Sequence, residues 1–381
     1  MITIRQDSRV FTLLTLLSYV GEFPLSSIHL LGSKEAWRKL IHQLTLQQIY
    51  RFPDESERIS CKLLLVTGKG RSKSIRLSKS AVQLLERINP EAAQYYTQSY
   101  LRHNHSGDEK RAERFHRVAE TVAFMRQVGY ESCPYSLPAL QLCAIRKVVP
   151  AEPSFYISNE LKHIGNDDVN KISFSRITGA LFSHGGCYAV YNSRDYLMKW
   201  NGKGESKTRL TLTEIARMNA QVEEVTSAIL LGKDYAIADM TLRALNGIKR
   251  AEMRFDANYD RLHFITMDQF GMRLVKILTL PDWHDRLSAL LFDEDDRADG
   301  QNSFDYDALE DGTYVLSFLD SDIIRLNRFR EAVGERKAEI VCFPEQVSFL
   351  RSFLGSRTRL RTVEMDSVEE ALREDWSDTH E

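Results

Sequence analysis

Four basic residues at helical spacing form the first set whose types and positions could do chemistry. Lys34, Arg38, Lys39 and His42 lie in the run from Ser33 to Leu44. Trp37, Leu40, Ile41 and Leu44 recur there at i, i+3, i+4 and i+7, which predicts a helix with one buried face and the basic residues opposite it. Ser33 stands where an N-cap belongs. A second basic set follows. Lys69, Arg71 and Lys73 occupy a turn marked by Gly68 and Gly70. That turn joins a strand predicted over Arg58–Thr67 to a short return strand, Ile75–Leu77, which carries Arg76. Cations on a helix face suit the major groove, and cations at a hairpin tip suit phosphate. A basic-faced helix followed by a basic-tipped hairpin is the order of a winged helix-turn-helix.

Other chemical signals are weaker. His103-Asn104-His105 spells the letters of a nuclease motif, but no ββα metal unit surrounds it. The acidic stretch Asp293–Asp296, with Asp299, Asp305 and Asp307, lacks the ligand spacing of a calcium loop. Lys199–Glu205 holds two glycines and two lysines but does not match a phosphate loop, although Trp200 offers a stacking face. No Gly-x-Ser-x-Gly, His-Glu-x-x-His or dinucleotide fingerprint occurs. The five cysteines are scattered and never form a Cys-x-x-Cys pair, which argues against structural zinc and for a reducing compartment. No run of 18 apolar residues is present, and no signal-peptide pattern opens the chain. The expectation is a cytoplasmic protein with no membrane partner.

Charge is distributed unevenly. Residues 1–130 hold 20 Lys+Arg against 12 Asp+Glu, a net of +8, whereas residues 280–381 hold 12 against 25, a net of −13. A polyanion is therefore expected at the N-terminal part only.

The elements that must position the basic sets come in a definite order. Val10–Val20 reads as a first helix, Ser26–Gly32 as a second short one, and Ser33–Leu44 as the helix presented to the groove. Glu109–Val128 is a long helix whose apolar stripe includes Phe115, Val118, Val122 and Met125, with Arg114 and Arg117 assigned to its outer surface. Strands are predicted over 154–158, 177–183 and 187–192, with a turn at His184-Gly185-Gly186. A helix over Thr213–Leu231 and then alternating strands and helices to Glu374 predict a mainly parallel sheet. The predicted organisation is a winged-helix domain over 1–102, a bridging helix over 103–130 and an α/β domain over 131–381, divided near 250.

This order resembles the replication-relaxation family of plasmids and integrative elements. The resemblance rests on the basic helix and hairpin from Lys34 to Leu77, the helix from Glu109, and the segment Phe174–Asn192. It implies a mixed α/β protein: an N-terminal winged helix followed by a restriction-endonuclease-like, or Rossmann-like, domain that is nuclease-like over 154–192. Nuclease-like members place an Asp on one hairpin strand and an acidic pair on the next, to hold Mg²⁺ against a phosphate. The matching position here is Thr178, and Cys187–Asn192 contains no carboxylate. The implied role is double-stranded DNA binding in replication, mobilisation or transcriptional control of a mobile element. Other replication or mobilisation proteins and a second copy are the implied partners. The α/β domain is then a scaffold or dimerisation unit with no catalytic residue and no cofactor. The alternative is a Mg²⁺-dependent endonuclease or relaxase. Glu152 and Glu160 would ligate its metal, and Lys162 would stabilise developing charge.

Overall fold

The computed structural model describes residues 1–52, 58–100, 109–132, 153–158, 175–183, 186–197, 202–219, 222–246, 255–299 and 305–378. It is a mixed α/β protein with several open sheets. The chain divides into two compact units, Met1–Pro138 with Phe155–Glu160, and Ala139–Ser154 with Leu161–Glu381. Among the described residues, no helix is long and apolar enough to cross a membrane.

In the first unit, strand β1 (Ile2–Thr3) precedes helix α1 (Arg9–Val20). Ser8 caps α1 by accepting from Phe11 N, and Leu13, Leu14, Leu16 and Leu17 are fully buried. Strand β2 (Glu22–Pro24) follows directly. The predicted short second helix forms as a 3₁₀ segment, Leu25–Leu31, kinked at Ser27. Pro24 before it and Gly32 after it, at φ 115°, leave no room for a regular α-turn at either end. Helix α2 (Lys34–Leu44) buries Trp37, Ile41 and Leu44.

Where periodicity predicts one strand over Arg58–Thr67, the chain breaks at Lys62–Leu63. Leu63 and Leu64 are both buried, so the in–out alternation of a single strand fails there. Leu63 N donates to Leu44 O at 3.0 Å, and Ser78 N donates to Leu63 O at 2.9 Å. The two halves consequently join different sheets. Strand β3 (Gln48–Arg51) pairs parallel with β1 and antiparallel with β4 (Arg58–Cys61). Strand β5 (Leu64–Thr67) pairs antiparallel with β6 (Ser74–Leu77), whose other edge pairs antiparallel with β2. The resulting strand order is β2-β6-β5. Helices α3 (Lys79–Ile88) and α4 (Pro90–Ser99) follow, capped by Ser78 and Asn89.

Helix α5 (Glu109–Val128), read from sequence as a bridge, packs on α1, β2 and the 25–31 segment of its own unit. Its polar residues do not all face solvent. His116, Arg117 and Glu120 are buried at 5%, 6% and 2% exposure, because α5 is packed on more than its apolar side. Arg117, expected on the outer surface, instead pairs with Glu113 at 3.3 Å. Short strands β7 (Glu131–Ser132) and β8 (Ser154–Ile157) complete the N-terminal half.

In the second unit, β9 (Gly179–Ser183) and β10 (Gly186–Arg194) form the predicted antiparallel hairpin. Helix α6 (Gly202–Asn219) leads to β11 (Ser227–Gly232), where sequence periodicity predicts helix through Leu231. The run Ala228–Leu231 is apolar at every position and fully buried, a pattern that suits a central parallel strand as well as a helix. Helix α7 (Tyr235–Leu245) and β12 (Arg261–Thr266) follow, and β10, β11 and β12 are parallel neighbours. Helices α8 (Gln269–Leu278) and α9 (Trp283–Leu291) precede a second sheet. In it β13 (Ala308–Glu310) pairs antiparallel with β14 (Thr313–Ser317), and β14, β15 (Ala338–Cys342) and β16 (Arg359–Thr362) run parallel. Helices α10 (Ile323–Val333), α11 (Val347–Leu354) and α12 (Met365–Asp378) interleave with and follow these strands. Asp234, Asp268 and Asp322 cap α7, α8 and α10 through their carboxylates.

Candidate nucleic-acid interface

Helix α2 divides cleanly into two faces. Trp37 is 5% exposed, and its Nε1 donates to Leu31 O at 2.7 Å, tying the helix to the end of the preceding segment. Lys34, Arg38, Lys39 and His42 are all exposed on the other side. None of the four is in an ion pair with a described residue, and Glu35, one turn before Lys39, lies outside ion-pair distance of it. Several arginines elsewhere are paired internally. Arg243 pairs with Asp239 at 2.7 Å, Arg325 with Asp307 at 2.7 Å, and Arg361 with Glu339 at 2.7 Å. The α2 face is thus a net positive surface without ion pairs to described residues.

The β5–β6 hairpin carries the second set. Lys69 and Lys73 are exposed at its tip. Gly68, at φ +75°, makes the turn possible, since a Cβ there would lie 2.3 Å from Ser72 O. Leu25 N donates to Lys73 O at 2.9 Å and anchors the return strand to the 25–31 segment. Arg71 lies within the Gly70–Ser72 turn, and its side chain is outside the described residues. Arg76 departs from its expected place at the phosphate. It is half-buried, its Nε is enclosed without a hydrogen-bond partner, and its charge acts on Tyr96 of α4. Arg76 stands directly across from Glu22 on β2, so it shares that residue's face of the sheet rather than the tip.

The nuclease-like positions of the second unit are filled by internal hydrogen bonds. Thr178 is buried, and its hydroxyl donates to Val190 O at 2.9 Å. Asn192 Oδ1 accepts from Arg194 N at 2.8 Å. The carboxylate near this hairpin comes from a residue that the sequence did not single out, Glu205 of α6. It has no exposed surface and accepts from Ser175 Oγ and Arg176 N, both at 2.6 Å. Burial pushes the Glu205 carboxyl up despite those donors. Glu152, Glu160 and Lys162 lie outside the described residues. Among the described residues, no three His, Cys, Asp or Glu side chains are grouped to hold a metal.

A second polar cluster was also invisible in sequence. His263 on β12 is fully buried, with Nδ1 2.9 Å from Asp320 O. Asp322 Oδ1 accepts from Leu262 N, Ile324 N and Arg325 N, fastening α10 to β12. Burial pushes the Asp320 carboxyl up, but His263, Arg325 and Arg261 outweigh it and hold the group below its usual range. Burial and the neighbouring Asp320 push Asp322 up. A cavity of about 10 Å³ beside Trp283, Asp307, Asp320 and Arg325 is the size of one water. The cluster fastens two sheets together and is too enclosed to meet a substrate. No family model, curated protein or solved structure matches this chain.

Proposed function

We propose that residues 1–100 bind double-stranded DNA, with α2 in the major groove and the 68–73 turn against phosphate, as a winged helix does. The setting, following the resemblance, is the replication, mobilisation or transcriptional control of a mobile genetic element. The second unit then serves as scaffold or dimerisation unit, and other replication or mobilisation proteins are the natural partners. One observation carries this reading: Lys34, Arg38, Lys39 and His42 share an exposed helix face on which Glu35 is the single acid and none of the four is ion-paired to a described residue, while Trp37 fixes the helix from behind. The order α1, β2, 25–31, α2, then β3 and β4, then β5, turn, β6, with sheet order β2-β6-β5, supports it, because a helix followed by an antiparallel hairpin is the sequence of elements in a winged helix.

The test is binding of a mixed-sequence duplex over a range of salt. Each neutralised phosphate contributes a slope of about −0.9 to log affinity against log salt. Changing Lys34, Arg38 and Lys39 together to Ala removes up to three such contacts and flattens the slope by up to about 2.7. Absence of duplex binding at low salt, or an unchanged slope in the triple variant, rules the reading out. Salt-insensitive capture of a protein partner without DNA binding would instead make this module a protein-interaction unit.

A further inference from the structure

The hairpin that carries Lys69 and Lys73 is held at its base by a chain of polar groups. Thr67 and Ser74 flank the turn as register partners, and their hydroxyls are 3.0 Å apart. Ser74 has no exposed surface and donates to Glu22 Oε1. The same carboxylate oxygen lies 3.3 Å from Nε2 of His116 on α5. Glu22 is 8% exposed and His116 5%.

A carboxylate withdrawn from water to this extent is costly unless it is hydrogen-bonded and paired. An apolar pair of the same shape would hold the sheet without that cost. What the polar chain adds is direction, since hydrogen bonds accept a narrow range of geometries and packing does not. Direction matters here because packing is thin toward the tip. Leu65 is 36% exposed and Val66 47%, on an edge strand of four residues. The β6 side is fixed through Lys73 O, and on the β5 side the Thr67 hydroxyl adds to the last backbone pair of the ladder, Thr67 with Ser74.

We infer that the chain Thr67–Ser74–Glu22–His116 sets the angle of the 68–73 turn, and so decides whether Lys69 and Lys73 reach phosphate. This inference rests on the DNA-binding reading. Glu22 and His116 are then positioning residues that act on DNA from inside the protein. The salt slope of duplex binding is the readout, because a general loss of folded protein lowers the active fraction without changing the slope.

The experiment compares wild type, T67V, T67S, S74A, E22Q and K69A/K73A with one mixed-sequence duplex across ionic strength. K69A/K73A flattens the slope by about 2, for two phosphates. T67V and S74A are expected to flatten it by a similar amount, and T67S, which keeps the hydroxyl, and E22Q, whose amide oxygen still accepts from Ser74, to retain the wild-type slope. S74A added to K69A/K73A changes nothing further, because the lysines have already lost their contacts. T67V is nearly isosteric and part-exposed, so it remains informative if S74A folds poorly. Wild-type slopes in both T67V and S74A, or a loss additive with K69A/K73A, overturn the inference and leave DNA binding standing. A wild-type protein that shows no salt-dependent duplex binding overturns both.

Discussion

Replacing Asp307 by Asn strips the counter-charge from the most enclosed arginine of the second unit. Arg325 Nη2 lies 2.7 Å from Asp307 Oδ1, with the two side chains 4% and 6% exposed, and Asp307 Oδ2 accepts from Ser317 N at 2.6 Å. Breaking a buried pair by removing one partner costs about 3–5 kcal/mol, because the remaining charge stays desolvated. The lower end applies here. Asp320 also acts on Arg325, and the adjoining cavity of about 10 Å³ admits a water that can share the load. The expected loss in D307N is therefore about 3 kcal/mol. R325M leaves Asp320 and Asp322 with His263 and Arg261 as their remaining basic neighbours, so its loss shrinks on acidification as these carboxylates protonate. The double variant D307N/R325M removes both charges and falls well short of the sum of the singles, with a coupling of about 2 kcal/mol. Amide hydrogen exchange of β14 and α10 reads this locally and is not confused by unfolding of the first unit. A D307N loss below about 1 kcal/mol, or strict additivity in the double variant, would show that the pair is not an element that holds α10 against β14.

Three further outcomes follow from the same geometry. Trp37→Ala removes a buried ring and its bond to Leu31 O, costing about 3–5 kcal/mol in the first unit, and should abolish duplex binding; calorimetry and binding measured on the same sample check both. Gly68→Ala puts a Cβ 2.3 Å from Ser72 O at φ +75°, so the turn must rebuild; the expected result is a flattened salt slope with unchanged exchange in α1 and α2. His284 is held below its ordinary range by burial first and then by Arg261 and Arg325. A depressed pKa contributes stability above the ordinary histidine value, about 6.5, and that stability is lost as pH falls toward the folded value. H284Q should flatten the fall in exchange protection of α9 between about pH 7 and 5, and an unchanged fall would remove His284 as its source.

Much of the element order was legible because it rests on local signals. Asp268 stands as an N-cap before the amphipathic run Gln269–Leu278 of α8, and Asp322 marks the start of α10 in the same way. Failures came where burial on every side erased the period. Ala228–Leu231 is apolar at each position, so nothing in the run distinguishes a central strand from a buried helix. Likewise, the pair Leu63-Leu64 hides a change of sheet inside an apparently continuous strand, because only tertiary contacts of Leu63 with Leu44 and Ser78 reveal the break.

The same physics explains which site residues could be read. Residues exposed on an amphipathic helix, such as Arg38 and Lys39, declare themselves by standing opposite an apolar stripe. Glu22, His116 and Glu205 do not, because polar residues are assigned to solvent by default and their burial depends on partners distant in sequence. Ser74 is 52 residues from Glu22, His116 is 94 from it, and Ser175 is 30 from Glu205. Arg76 shows the converse case. A basic residue next to a basic turn was assigned to phosphate, yet its register opposite Glu22 turns it to the inner polar face. The strand period of two fixes that outcome once the pairing is known. A surface of cations is thus readable from one helix, whereas the buried polar groups behind the hairpin belong to the pairing of strands and to α5, and only the folded chain brings them together.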